Sequence, residues 1–147
     1  MPPPTIIIRH KKENPRKCSV MPLKGRDGFA FFSYPALDMP DLTGYIRLAA
    51  EGPPLSAQDA SFGILLLDGS WRAADGMTRT FAHVEPRSLA GYVTAYPRVS
   101  KLGTDPANGL ASIEALYIAL RILGRPTANL LDHYHWRDEF LALNSFR

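Results

Sequence analysis

"GILLLD", residues 63–68, constrains the fold more than any other stretch of this chain. Its apolar residues follow one another without the alternation of a strand that is wet on one side, and the run is too short for a helix. Such a run fits a strand covered on both faces, as in a parallel sheet flanked by helices. It stops at Asp68, and Gly69, Ser70 and Trp71 come next. In open α/β sheets the ligand crevice lies off the carboxyl ends of the strands. Asp68 is therefore the first candidate for chemistry.

The remaining segments agree with that architecture. "TIIIRH" (5–10) is a β-branched strand, and "FAFFSY" (29–34) is a second, ended by Pro35. "YIRLAAEG" (45–52) has no decisive pattern. "PPLSAQDASF" suggests a short helix that starts at Ser56, and "SWRAADGMTRTFAHV" a helix that starts at Ser70 and stops near Gly76. "GYVTAYP" (91–97) reads as a strand closed by Pro97, followed by a polar loop. "LASIEALYIALRILG" (110–124) is the clearest helix, with Leu110, Ile113, Leu116, Tyr117, Leu120 and Leu123 at helical spacing and Gly124 as a stop. "TANLLDHYHWRDEFLALN" (127–144) predicts one or two further helices. Strands interleaved with helices predict an α/β fold with a mostly parallel sheet. At 147 residues a single domain is expected, and 46% apolar residues suffice for its core.

Composition excludes several classes. No apolar run reaches the roughly 18 residues of a membrane span, and "MPPPTIIIRHKK" lacks the order of a signal peptide, so a cytoplasmic protein is expected. The single Cys18 rules out an internal disulfide framework and a multi-cysteine zinc site. His133 and His135 lie two apart, which is not metal-ligand spacing on a helix, and no metal is expected. Net charge is only +3, but Arg9, Lys11, Lys12, Arg16, Lys17, Lys24 and Arg26 crowd the first 26 residues. That cluster suits a phosphate backbone or, equally, a solvated basic edge.

At the strand end, Ser70 can cap a helix and leave its amides to an anion, Asp68 can bind a cation or act as a base, and Trp71 can stack on a base or face a sulfonium. The plainer alternative, a capped turn with Trp71 in the core, is favoured by these residues taken alone. Glu114 has two readings as well: a first-turn acid favoured by the helix dipole, or a brace that accepts from the amides of a loop.

Four motifs in order change the weighting. "HKKENPRKCSVMPL" resembles the N-terminal signature of the 18S rRNA aminocarboxypropyltransferases, which runs Asp-Pro-Lys-Lys-Cys-Ser/Thr and then a leucine. "LSAQDASFGILLLDGSW" is similar to their stretch ending Asp-Cys-Ser-Trp, "VTAYP" to their Ala-Ala-Asn-Pro loop, and "LASIEAL" to their Leu-Ser-Cys-Val-Glu-Ala helix start. The resemblance spans about residues 9 to 123. The DTW-domain aminocarboxypropyltransferases of tRNA share the pattern of Asp68, Ser70 and Trp71, but that family carries several N-terminal cysteines and this chain has one. Gly69 in place of Cys, Asn14 in place of Asp and "VMP" in place of Gly-Arg-Lys depart from the rRNA pattern and bear on the target RNA more than on the cofactor.

The resemblance implies a SPOUT-like fold with a C-terminal trefoil knot, in one domain with a basic N-terminal part (about 1–60) and an S-adenosylmethionine (SAM) binding part (about 61–147). It implies transfer of the 3-amino-3-carboxypropyl (acp) group to N3 of a uridine or pseudouridine in rRNA, by a monomer. The alternatives are a DTW-type tRNA enzyme, a methyltransferase of the same superfamily, and a non-catalytic RNA-binding ribosome assembly factor. Trp71 and Ala74 would wall off the methyl group, and Ser33, Tyr34 and Pro35 would line the adenine pocket. Leu67, Val93, Thr94, Ala95 and Tyr96 would hold adenine and ribose, and Ser19 the acp carboxylate. Asp68 would bind the acp amine or take the N3 proton, while Ser112 and Glu114 would brace the cofactor loop. RNA phosphates would meet Arg9, Lys11, Lys12, Arg16, Lys17, Arg98 and Lys101.

Overall fold

The computed structural model describes residues 3–10, 20–35, 40–68, 71–89, 91–95 and 110–146, and side chains among these except at 71–75. Five strands form one sheet: β1 (Thr5–His10), β2 (Phe29–Tyr34), β3 (Tyr45–Leu48), β4 (Gly63–Asp68) and β5 (Glu85–Arg87). Their order is β2-β1-β4-β3-β5, and every pairing is parallel. Among the described residues three α-helices accompany it: α1 (Trp71–Thr80), α2 (Ser112–Ile122) and α3 (Arg137–Leu143). None of the described helices is long and apolar enough to cross a membrane.

The unbroken apolar runs are explained by two cores, one on each face of the sheet. Ile7, Ile46, Ile64 and Leu66 point to the face covered by α2 and α3, where Leu116 and Phe140 are fully buried. Ile6, Ile8 and Leu65 point the other way, against Met77 and Phe81. Successive strand residues thus serve opposite cores. Helix α2 is buried without a break from Ile113 to Leu120, as expected of a helix enclosed on all sides.

The strand order contains a switch point. β1 and β4 are neighbours, but the chain leaves β1 for β2 on one side and leaves β4 for β5 on the other. A crevice at their carboxyl ends follows from that divergence.

Several expectations need correction. Residues 91–95 form no strand. Their polar groups are met by side chains: Val93 N donates to Asn144 Oδ1 (2.7 Å), Asn144 Nδ2 donates to Val93 O (2.8 Å), and Ala95 N donates to Glu114 Oε2 (2.9 Å). The fifth strand is instead Glu85–Arg87, which is three residues long, contains Pro86 and sits at the sheet edge, where proline is tolerated. Helix α1 does not stop at Gly76 but runs to Thr80, because burial of Met77 and Phe81 outweighs a glycine penalty of about 1 kcal/mol. The helix expected from Ser56 is a single 3-10 turn, Ala57–Asp59, with Ser56 Oγ accepting from Gln58 N and Ser56 N donating to Asp59 Oδ2. Residues 45–48, undecided from their pattern, are β3. Tyr45 of β3 lies over Gly63 of β4, where an added Cβ would sit 2.6 Å from the ring Cζ.

Candidate functional site

Register alone assembles the first row of the site. Arg9 of β1 pairs with Ser33 of β2 on one side and with Asp68 of β4 on the other. Residues in register on parallel strands share a face, and alternation from Ile7 and Leu66 puts this row on the α2 side. Ser33, Arg9 and Asp68 therefore cross the carboxyl end of three adjacent strands, at the switch point.

Asp68 is engaged through both oxygens. Arg9 Nε donates to Oδ2 at 3.2 Å, and Ser112 Oγ donates to Oδ1 at 2.6 Å. The Asp68 and Arg9 side chains retain only 13% and 14% of their exposure. The three residues tie the ends of β1 and β4 to the first turn of α2. Ser112 can reach because it opens the helix that packs on this face.

Two residues along the same helix turn, Glu114 forms a second node. It is fully buried, and four donors converge on it. Thr94 Oγ1 (2.6 Å) and Ala111 N (2.8 Å) donate to Oε1, while Ala95 N (2.9 Å) and the Tyr134 hydroxyl (2.9 Å) donate to Oε2. A carboxylate, which only accepts, is the side chain suited to such a set. Of the two readings of Glu114, the brace is the one observed: it holds residues 94–95 against α2, while the Asn144 amide holds Val93 from the other side. Tyr92 stacks on Phe146 at 5.9 Å, closing the support of this segment.

The opposite face carries a different group. Tyr34 belongs to the α1-side core, its ring lies 5.8 Å from that of His10, and its hydroxyl shares a 2.8 Å hydrogen bond with Thr80 Oγ1. Ser33 and Tyr34 thus serve opposite faces of the sheet, with exposed Pro35 beyond them, and Leu67 also packs toward the α1 side. The site gathers Ser33, Arg9, Asp68 and Ser112 on the α2 side, with Thr94 and Ala95 held on the same helix. Trp71 and Ala74 lie in the first turns of α1, directly after Asp68 in the chain. Ser19, Tyr96, Lys11, Lys12, Arg16, Lys17, Arg98 and Lys101 fall outside the described residues. Among described residues, no group of three or more His, Cys, Asp or Glu is placed to hold a metal. A cavity of about 330 Å³ lies at the other end of the sheet, lined by Pro4, Asp27, Phe29 and Arg125, away from this row.

Sequence reasoning missed two contributors. Tyr134 and Asn144 belong to segments read only as helix. Arg9, grouped with the RNA-binding residues from the sequence, stands one residue before the end of β1, in register with Asp68.

No family model matches the chain, and no curated protein matches it. Among solved structures, it is similar to the SAM-dependent rRNA:acp-transferase Tsr3 from Vulcanisaeta distributa, with a TM-score of 0.73 and 24% sequence identity. The match covers 99% of this chain and 80% of that one. The chain therefore shares, over nearly its whole length, the α/β fold of that structure.

Proposed function

We propose that the protein is a SAM-dependent RNA aminocarboxypropyltransferase that modifies N3 of a uridine or pseudouridine, in rRNA before tRNA. One observation carries this: an acid–hydroxyl–arginine row at the switch point of a sheet whose fold matches a SAM-dependent rRNA acp-transferase. Four sequence motifs follow one another along the chain in the expected order, and two of them supply Asp68 and Ser112 of the row. The proposal includes a C-terminal trefoil knot and a cytoplasmic monomer.

The residues present suit SAM. The row supplies a carboxylate for an ammonium group, and residues 93–95 are a backbone segment fixed from two sides by Asn144 and Glu114. When bound, SAM supplies an electrophilic acp γ-carbon: the N3 electron pair forms the N–C bond, the C–S bond breaks, 5′-methylthioadenosine leaves, and the N3 proton passes to a base. In-line presentation of that carbon selects acp over methyl. Trp71 and Ala74 shield the methyl, Asp68 faces the acp amine or accepts the proton, and Ser19 meets the acp carboxylate. Ser33, Pro35, the backbone of Tyr34 and Leu67, and residues 93–96 hold adenine and ribose, and Ser112 and Glu114 brace them. The basic residues Lys11, Lys12, Arg16, Lys17, Arg98 and Lys101 hold phosphates, and the target base is unpaired, because N3 lies on its pairing edge.

The test is mass spectrometry of rRNA and tRNA nucleosides from cells with and without the gene, joined to calorimetry with SAM. Loss of an acp-modified uridine from rRNA supports the proposal, and its loss from tRNA supports a DTW-type enzyme. A chain that binds no SAM and leaves every nucleoside unchanged is an assembly factor.

A further inference from the structure

We infer that Arg9 is a positioning residue for Asp68 and not a contact for RNA phosphate; the inference rests on the transferase proposal above. The sequence sets Arg9 at the head of a basic cluster, and its charge alone would place it with the lysines that follow. The structure separates it from them. Arg9 is still inside β1, in register with Asp68, and its Nε points at Asp68 Oδ2. Its side chain is 14% exposed. A phosphate contact needs the guanidinium in solvent, whereas here the side chain is largely buried and its Nε is turned to the neighbouring strand.

The fixed direction matters more than the charge. A carboxylate at a strand end swings about two torsions unless both oxygens are held. Arg9 holds one and Ser112 the other, from elements that approach from different sides, the neighbouring strand and the helix above the sheet. Arginine suits the task better than lysine, because its planar fork fixes an orientation where an ammonium fixes only a distance.

The test uses the full chain with SAM and an rRNA fragment that the wild type modifies, comparing Arg9→Ala, Arg9→Lys and Ser112→Ala. Three quantities are read: kcat at saturation, RNA affinity by fluorescence anisotropy at several salt concentrations, and SAM affinity by calorimetry, with circular dichroism confirming the fold. Positioning predicts that kcat falls about 10–100-fold in Arg9→Ala, since a misplacement of about 1 Å has that effect. It predicts partial recovery in Arg9→Lys, a smaller loss in Ser112→Ala, and RNA affinity and salt slope both unchanged. If Arg9→Ala lowers the salt slope by about one and weakens RNA binding in step with kcat, Arg9 is a phosphate contact and the inference is overturned while the enzyme proposal stands. Should Arg9→Ala fail to fold, Arg9→Lys alone decides, because a phosphate contact would keep full kcat there. A wild type that places no acp on RNA overturns both.

Discussion

Glu114 and Asp68 both accept from a hydroxyl, and both join segments far apart in sequence, yet they hold different kinds of place. Around Glu114 every direction is filled: the carboxylate has no exposure, and four donors from three segments close on it. Around Asp68 the Arg9 guanidinium and the Ser112 hydroxyl hold one oxygen each, and a fraction of the carboxylate still meets solvent. The first arrangement has nothing left to offer a substrate. The second keeps some exposure while its orientation is fixed, which is the combination a binding or catalytic group requires. The comparison teaches that exposure separates a brace from a site when two acids are each held to the start of the same helix.

Breaking the brace should have the largest effect. Glu114→Ala removes the acceptor shared by the Thr94 and Tyr134 hydroxyls and two backbone amides, and should cost about 4 kcal/mol in chemical denaturation, at about 1 kcal/mol for each hydrogen bond lost. A loss below about 1 kcal/mol would mean that the node is wet. Asp68→Asn should do the opposite: transfer falls about 100-fold, the scale of a lost acid–base or orienting group, while the melting temperature shifts by no more than a few degrees. Equal damage to folding and turnover would make Asp68 a brace like Glu114. Glu114→Gln sharpens the contrast, since its amide turns a donor toward a donor. About 2 kcal/mol of stability should be lost, with kcat at saturating SAM kept within about 3-fold. Asn144→Ala should have the smallest effect, about 1 kcal/mol of stability from the released Val93 backbone, accompanied by weaker SAM binding in calorimetry. Unchanged SAM affinity would detach residues 93–95 from the cofactor.

Most of the sheet was legible because its strands are short apolar runs with plain ends. β1, β2 and β4 begin and stop where "TIIIRH", "FAFFSY" and "GILLLD" do. Helix α2 was equally legible, its spacing and Gly124 bounding it. What escaped was structure made by pairing across distance. β5 has three residues and no apolar pattern, and exists because β3 offers an edge. Residues 91–95 have strand composition but spend their hydrogen bonds on Glu114 and Asn144. At the site, Asp68 was visible as an acid closing a buried strand. Its partners lie 59 and 44 positions away, and no local pattern announces a pairing of that range.

Transfer of acp rather than methyl is the central claim, and SAM labelled in one of two places tests it. The purified chain is incubated with unmodified rRNA and SAM carrying label in the carboxyl carbon, and in parallel with SAM carrying label in the methyl carbon. An aminocarboxypropyltransferase places only the carboxyl label on RNA and releases 5′-methylthioadenosine that retains the methyl label. Methyl label on the RNA with no carboxyl label would contradict it and make the chain a methyltransferase.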